Sequence, residues 1–333
     1  MKTNLKKLLY SGVTLMSLGV LAACSSTSSS TTTSSSAATS QTSVATISNN
    51  STSSDSSSST IDWSALPMTE VKLSNDGLKI TEGGTYILTG STTAGVTVET
   101  DANVRIILAG AEISSSDTAA INVINADNVE LEIKDGTTNT VKDTSNHTDT
   151  NIEGAIHVEA DLTIIGNGSL TVEGNFQDGI VSTDDLVVNS GNITVTAVDD
   201  GIKAETALTI DGGTITVSES AEALEGTNIT INGGTLDVYG SDDAINAAST
   251  TSSEIFIKVT GGDLKVAVGS GDTDAFDANG DIYISGGTID VTAQSAFDFD
   301  GTAELTGGIV TVNGEQITQI TATGPGAGGH GGW

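Results

Sequence analysis

Short runs of alternating apolar and polar residues fill the chain from Ile80 to Ile317, and none keeps a helical period. YIL (86–88), VTV (96–98), VRIIL (104–108), INVI (121–124), VELEI (129–133), AIHV (155–158), LTII (162–165) and LVV (186–188) are parted by Gly, Asn, Asp and Ser. A two-residue period bounded by turn formers marks strands that bury one face. Two phrases then recur about every 22 residues, a period typical of stacked repeats. The first pairs a Gly-rich turn with a strand: GNGSLTV (166–172), NSGNITV (189–195), DGGTITV (211–217), NGGTLDV (232–238), TGGDLKV (260–266), SGGTIDV (285–291) and TGGIVTV (306–312). The second is acidic, then small and apolar: QDGI (177–180), DDGI (199–202), AEAL (221–224), DDAI (242–245) and TDAF (273–276). Such units bury their apolar faces only against their neighbours, so the pattern predicts an all-β solenoid, a parallel β-helix of roughly ten rungs over 80–322. The two prolines, Pro67 and Pro325, flank the repeats, as central strands require. The stretch 142–153 breaks the rhythm and is predicted to bulge as a loop.

The ends of the chain read differently. Residues 1–24 carry Lys2, Lys6 and Lys7 ahead of an apolar stretch too short to span a bilayer, the form of a signal peptide. It closes on Leu21-Ala22-Ala23-Cys24, which resembles a bacterial lipobox, so Cys24, the sole cysteine, is the expected lipid attachment. Residues 25–60 are almost wholly Ser and Thr and are expected to tether the domain. Residues 61–79 are expected to cap the first rung, and 323–333 form a Gly-rich tail. The localisation this implies is the extracellular face of the cell membrane, held by lipid.

Charge narrows the function. Three of the 11 basic residues precede Cys24, leaving eight against 43 acids, a formal charge of −35. Nucleic acid is excluded as a partner, because phosphate binding needs the opposite sign. Aligned repeats place Asp178, Asp200, Glu222, Asp243 and Asp274 in one column, with Asp199 and Asp242 one position earlier and Glu225, Asp277 and Asp298 three later. Equivalent positions of neighbouring rungs lie about 4.8 Å apart. Carboxylates that close repel, so either their pKa values rise or cations fill the gaps. Ca²⁺ suits an all-oxygen donor set, whereas zinc and copper would want the Cys and His that the column lacks. The candidate metal ligands are therefore Asp178, Asp199, Asp200, Glu222, Asp242, Asp243, Asp272, Asp274, Asp277 and Asp298, for several Ca²⁺ ions. The competing reading is that these acids are soluble turn formers.

The run GGTYILTG (83–90), LAGAEI (108–113), AAINVINADNVELEIKDGTTNTV (119–141) and GAIHVEADLTIIGNGSLTV (154–172), followed by the DDGI/GGTITV alternation, resembles the bacterial carbohydrate-binding β-helix family. The resemblance spans about 80–320. It implies a right-handed helix related in fold to pectate lyases, and binding of cellulose or polygalacturonate with calcium in the rungs. Two rungs depart from the pattern, with Ala221-Glu222 and Gln294-Ser295 where two aspartates are expected.

Catalysis finds less support. DDG (199–201) is faintly similar to one polygalacturonase motif, but the accompanying Asn-Thr-Asp, Gly-His-Gly and Arg-Ile-Lys phrases are absent. A ladder of similar carboxylates offers no differentiated acid and base. A lyase needs a cationic base; Lys203 is the best candidate, and it reads more simply as a solvated counter-charge, as His147 and His157 read as non-catalytic. Eleven aromatics leave a thin platform for neutral sugars; Tyr239, Phe256, Phe276, Tyr283, Phe297 and Phe299 are the candidates, mostly as core. The reading is a monomeric, surface-anchored, calcium-binding polysaccharide binder. An adhesin or scaffold with structural calcium is the alternative, and a polysaccharide lyase the third.

Overall fold

The structure is a computed structural model that describes residues 61–271 and 273–323. The signal-peptide segment, Cys24, the Ser/Thr-rich segment, Asp272 and nearly all of the Gly-rich tail lie outside them. The described residues are all β apart from one turn of 3-10 helix, Trp63–Ala65, capped by Asp62. Every strand pairing among them is parallel but one, the closing hairpin of Ile309–Val312 with Glu315–Ile317. Partners are not consecutive in the chain: Leu162–Ile164 pairs with Leu186–Val188, which pairs with Leu208–Ile210. The chain therefore coils back on itself, and its strands stack in three ladders.

One ladder runs through Leu186–Val188, Leu224–Ile231, Phe256–Val259 and Asp281–Ile284. A second stacks the Gly-rich phrases: Ser169–Gly174, Asn192–Ala197, Thr214–Glu219, Thr235–Gly240, Asp263–Val268 and Thr288–Thr292. The third carries the acidic phrases: Gly154–Val158, Asp178–Ser182, Ile202–Ile210, Leu224–Ile231, Ile245–Ala247, Asp274–Ala278 and Ser295–Phe299. Strands Met68–Leu73 and Leu78–Ile80 already belong to these ladders, pairing with Gly84–Thr92 and Val96–Glu99.

Alternation explains the core. Inward positions of all three ladders are Leu, Ile and Val at near-zero exposure, such as Leu170, Val172, Ile193, Val195, Ile215 and Val217. Near one end of the acidic ladder the inward residue enlarges to Phe276 and Phe297, which stack at 5.3 Å. The Gly-Gly phrases have a backbone cause. The second glycine, at 213, 234, 262, 287 and 308, holds φ between +81° and +94°, which side chains with a Cβ rarely adopt. The first passes under the preceding coil; a Cβ on Gly261 would stand 2.4 Å from the Asn232 carbonyl.

Candidate functional site

The acidic ladder carries the chemistry, and its register is set by the apolar residue two places after each acid. Ile180, Ile202, Leu224, Ile245, Phe276 and Phe297 are paired in succession, which aligns Asp178, Asp200, Glu222, Asp243, Asp274 and Ser295. Three places further on, Val181, Lys203, Glu225, Asn246, Asp277 and Asp298 form a second column. Between them stands a small residue. A Cβ on Gly201 would meet the Ala223 carbonyl at 2.6 Å, while Ala223, Ala244, Ala275 and Ala296 are buried where the coils leave room.

Asp178 and Asp200 are each 1% exposed. The Asp200 N–H donates to Asp178 Oδ1 at 3.0 Å, and the same bond recurs where Asp274 N–H donates to Asp243 Oδ1 at 2.7 Å. At the last acid the Ser295 hydroxyl donates to Asp274. Asp178, Asp243 and Asp274 are thus each held by the coil beyond. Two oxygens are not: Asp178 Oδ2 and Asp200 Oδ1 are buried without a hydrogen-bond partner. Carboxylate oxygens of Asp178, Asp200 and the more open Asp199 all lie within 4.8 Å of one another.

Burial pushes Asp178 up to about 7, against the opposing pull of the Asp200 N–H and Lys203. Asp200 is raised as well, by burial and by Glu225 and Asp178 beside it. Burial and crowding by like charges likewise lift Glu222 to about 7, Asp243 to about 6 and Asp277 to about 7. The alternative posed by the sequence, raised pKa values or bound cations, is therefore physically present here. The donor set fits Ca²⁺: hard oxygens only, two of them buried and unsatisfied, with a third carboxylate on the solvent side.

Glu222, Asp243 and Asp277 are half-buried, Asp274 is 8% exposed, Asp298 is partly exposed and Asp242 is open to solvent. Together with Asp178, Asp199 and Asp200 they follow the predicted columns, although those three form the one group of three carboxylates drawn together that closely among the described residues. Asp272 lies outside the described residues.

Lys203 corrects the sequence reading. It is not a solvated lysine: its side chain is 17% exposed, with Nζ 2.9 Å from Asp200 Oδ2 and 3.2 Å from Glu225 Oε2. Burial pulls its pKa down, but Asp200 and Glu225 outweigh that and hold it above the ordinary lysine value. Glu225 and Glu153 also belong to this cluster and were not singled out as ligands. Their signals were a column position three after Glu222, and a place just before Gly154, which aligns with Asp178. Burial raises Glu153 against the pull of Lys203.

The other candidates are structural. Arg105 pairs with Glu130 at 2.9 Å and with Glu132 in the first ladder. His147 anchors the bulging loop, its Nε2 3.0 Å from Asp143 and its ring stacked 4.3 Å from Phe176. His157 occupies the Lys203 column two coils earlier, and burial, with His147 nearby, lowers it to about 4. Phe276 and Phe297 are core, Phe299 packs against it, and Tyr239 is exposed.

Parallel strands coiled into stacked ladders, one of them acidic, define a β-solenoid with a carboxylate-lined edge. The family model of carbohydrate-binding domain-containing proteins matches residues 74–316, and the chain belongs to that family. A carbohydrate-binding domain-containing protein of Acetivibrio thermocellus is 33% identical over 135 residues. That match covers 38% of this chain and 47% of the relative, so it spans about half the relative's length. A solved structure of a polysaccharide lyase-like protein from C. thermocellum, a gadolinium derivative, is similar in fold, with a TM-score of 0.56 and 24% identity. The similarity covers 76% of this chain and 99% of that one.

Proposed function

We propose that this protein is a non-catalytic, calcium-loaded polysaccharide binder, built as a right-handed β-helix of roughly ten rungs and held outside the cell membrane by a lipid on Cys24. The observation that carries the reading is the pair of buried, unpartnered oxygens of Asp178 and Asp200 in a chain of the carbohydrate-binding family. Asp178, Asp199 and Asp200 would hold one Ca²⁺, which supplies the counter-charge their burial demands. Glu222, Asp242, Asp243, Asp272, Asp274, Asp277 and Asp298 are the candidates for further ions along the column.

The glycan class follows from charge. A domain this acidic meets a polyanion such as polygalacturonate only with cations between them, and stacked aromatics for a neutral chain such as cellulose are few. Catalysis is disfavoured because Lys203 is locked as a cation between two carboxylates and cannot take up a proton. The domain acts as a monomer, lifted off the membrane by residues 25–60.

Affinity electrophoresis of the full chain through gels containing polygalacturonate or a soluble cellulose derivative tests this reading. Retardation by polygalacturonate in Ca²⁺ that disappears with EGTA is the expected result. Retardation that survives chelation overturns the calcium bridge, and no retardation by either glycan overturns polysaccharide binding and leaves the scaffold. Release of unsaturated products would overturn the non-catalytic assignment.

A further inference from the structure

Lys203 is the one lysine in the two acidic columns, and its surroundings are those of a cation site. Along its own column the neighbours are Val181 on one side and Glu225, Asn246, Asp277 and Asp298 on the other. Its ammonium nitrogen touches Asp200 in the adjacent column and Glu225 in its own, at 2.9 and 3.2 Å, with the side chain 17% exposed. One positive charge therefore stands against two carboxylates in direct contact, with Asp178, Glu153 and Glu222 around them. It leaves a charge deficit. The deficit is visible in Asp200, which is 1% exposed and turns one oxygen to Lys203 while the other has no hydrogen-bond partner.

We infer that the Lys203 ammonium is a built-in substitute for a divalent cation, filling a site that Asp200 and Glu225 would otherwise offer to a metal ion. An ammonium satisfies carboxylates at N···O distances near 2.9 Å, whereas Ca²⁺ takes oxygens at about 2.3–2.6 Å. To exchange one for the other, Asp200 needs to close by about 0.3–0.6 Å and Glu225 by about 0.6–0.9 Å. The lysine also divides the edge. On one side lies Asp178 with its unpartnered Oδ2, and on the other Asp243, Asp274, Asp277 and Asp298, where no lysine intervenes. The number of ions the edge can hold is then set by the residue at position 203. This inference rests on the reading of the edge as a cation binder, and its test separates the two.

The experiment counts Ca²⁺ bound to the full chain by equilibrium dialysis with atomic emission, for wild type, Lys203→Met, Lys203→Gln and Lys203→Arg. Lys203→Met and Lys203→Gln are expected to bind one ion more per chain than wild type, and Ca²⁺ to raise their Tm by more than it raises the wild-type value. Lys203→Arg, which keeps the charge, gains none, and adding Glu225→Gln to Lys203→Met removes the extra ion. Lys203→Gln, the more soluble replacement, decides the matter if Lys203→Met does not fold. An unchanged ion count in either folded neutral variant overturns the inference. Wild type with no ion and a variant with one would uphold it while overturning the calcium reading of the natural chain. Wild type with ions and variants with no more would do the reverse.

Discussion

At the scale of single residues the account rests on carboxylates that are buried before anything neutralises them. Asp178 accepts the Asp200 N–H through Oδ1 and leaves Oδ2 bare. Asp178→Asn keeps that acceptor and deletes the charge, so its effects on stability and on ion binding should have opposite signs. Without calcium the variant should be more stable by about 1–3 kcal/mol, because an unpaired buried charge is lost. Its Ca²⁺ affinity should fall by about tenfold or more, the equivalent of about 1.4 kcal/mol. Thermal melts with and without chelator, together with calcium titration, check both. A variant less stable without calcium and unchanged with it would show that Asp178 is only a corner residue. Gly201→Ala probes the frame. Its Cβ would lie 2.6 Å from the Ala223 carbonyl and 2.7 Å from Val217, so the unfolding free energy should drop by about 1–3 kcal/mol. Loss of the Asp178–Asp200 alignment should weaken calcium in the same variant.

At the scale of elements, the acidic ladder is precise because its apolar partners fix the register. A slip of one residue would turn every inward Ile, Leu and Phe outward. This is why the column was legible in the sequence: DDGI, AEAL, DDAI and TDAF share a spacing that strand pairing reproduces. The Gly-Gly turns were legible for a different reason, a left-handed backbone that recurs at each coil. Lys203 was not legible as a buried ion pair. Its partner Glu225 is one whole coil away in sequence, and no spacing rule shows which way a long side chain folds. The bulging loop was readable as a break in the repeat, but its internal anchor, His147 between Asp143 and Phe176, depends on contacts across coils. That loop flanks His157, held neutral by burial with a pKa lowered to about 4. The folded state binds the proton less readily than the unfolded chain, where histidine titrates near 6.5. The stability His157 provides is complete above about pH 6.5 and is lost as pH falls toward 4. His157→Gln should gain stability relative to wild type in melts taken from pH 7 down to 4; a difference that does not change with pH would show that His157 contributes no such effect.

At the scale of the whole molecule, the core is a column of Leu, Ile and Val closed by the hairpin at Ile309–Ile317, while the surface carries a strong negative charge. Such a charge opposes compaction unless cations or protons offset it. Asp178, Glu222, Asp243 and Asp277 all have folded pKa values of about 6 to 7, above their unfolded values. A raised carboxylate pKa means that the folded state binds more protons, so calcium-free stability falls as pH rises from about 4 through 7. The His157 effect runs the other way. One histidine is outweighed by four carboxylates, so chelator-treated protein should lose stability as pH rises from about 4 through 7, and saturating Ca²⁺ should abolish that loss. A calcium-free melting temperature that keeps rising from pH 6 to 8 would contradict this.

Calorimetric titration of Ca²⁺ into the chelator-stripped full chain at pH 7.5 decides whether the acidic edge is a cation site. At least one tight site is expected, lost when Asp178 and Asp200 are both changed to Asn. No binding heat and no calcium retained on dialysis would contradict it, leaving the acidic ladder as a charged edge whose burial is borne by protons alone.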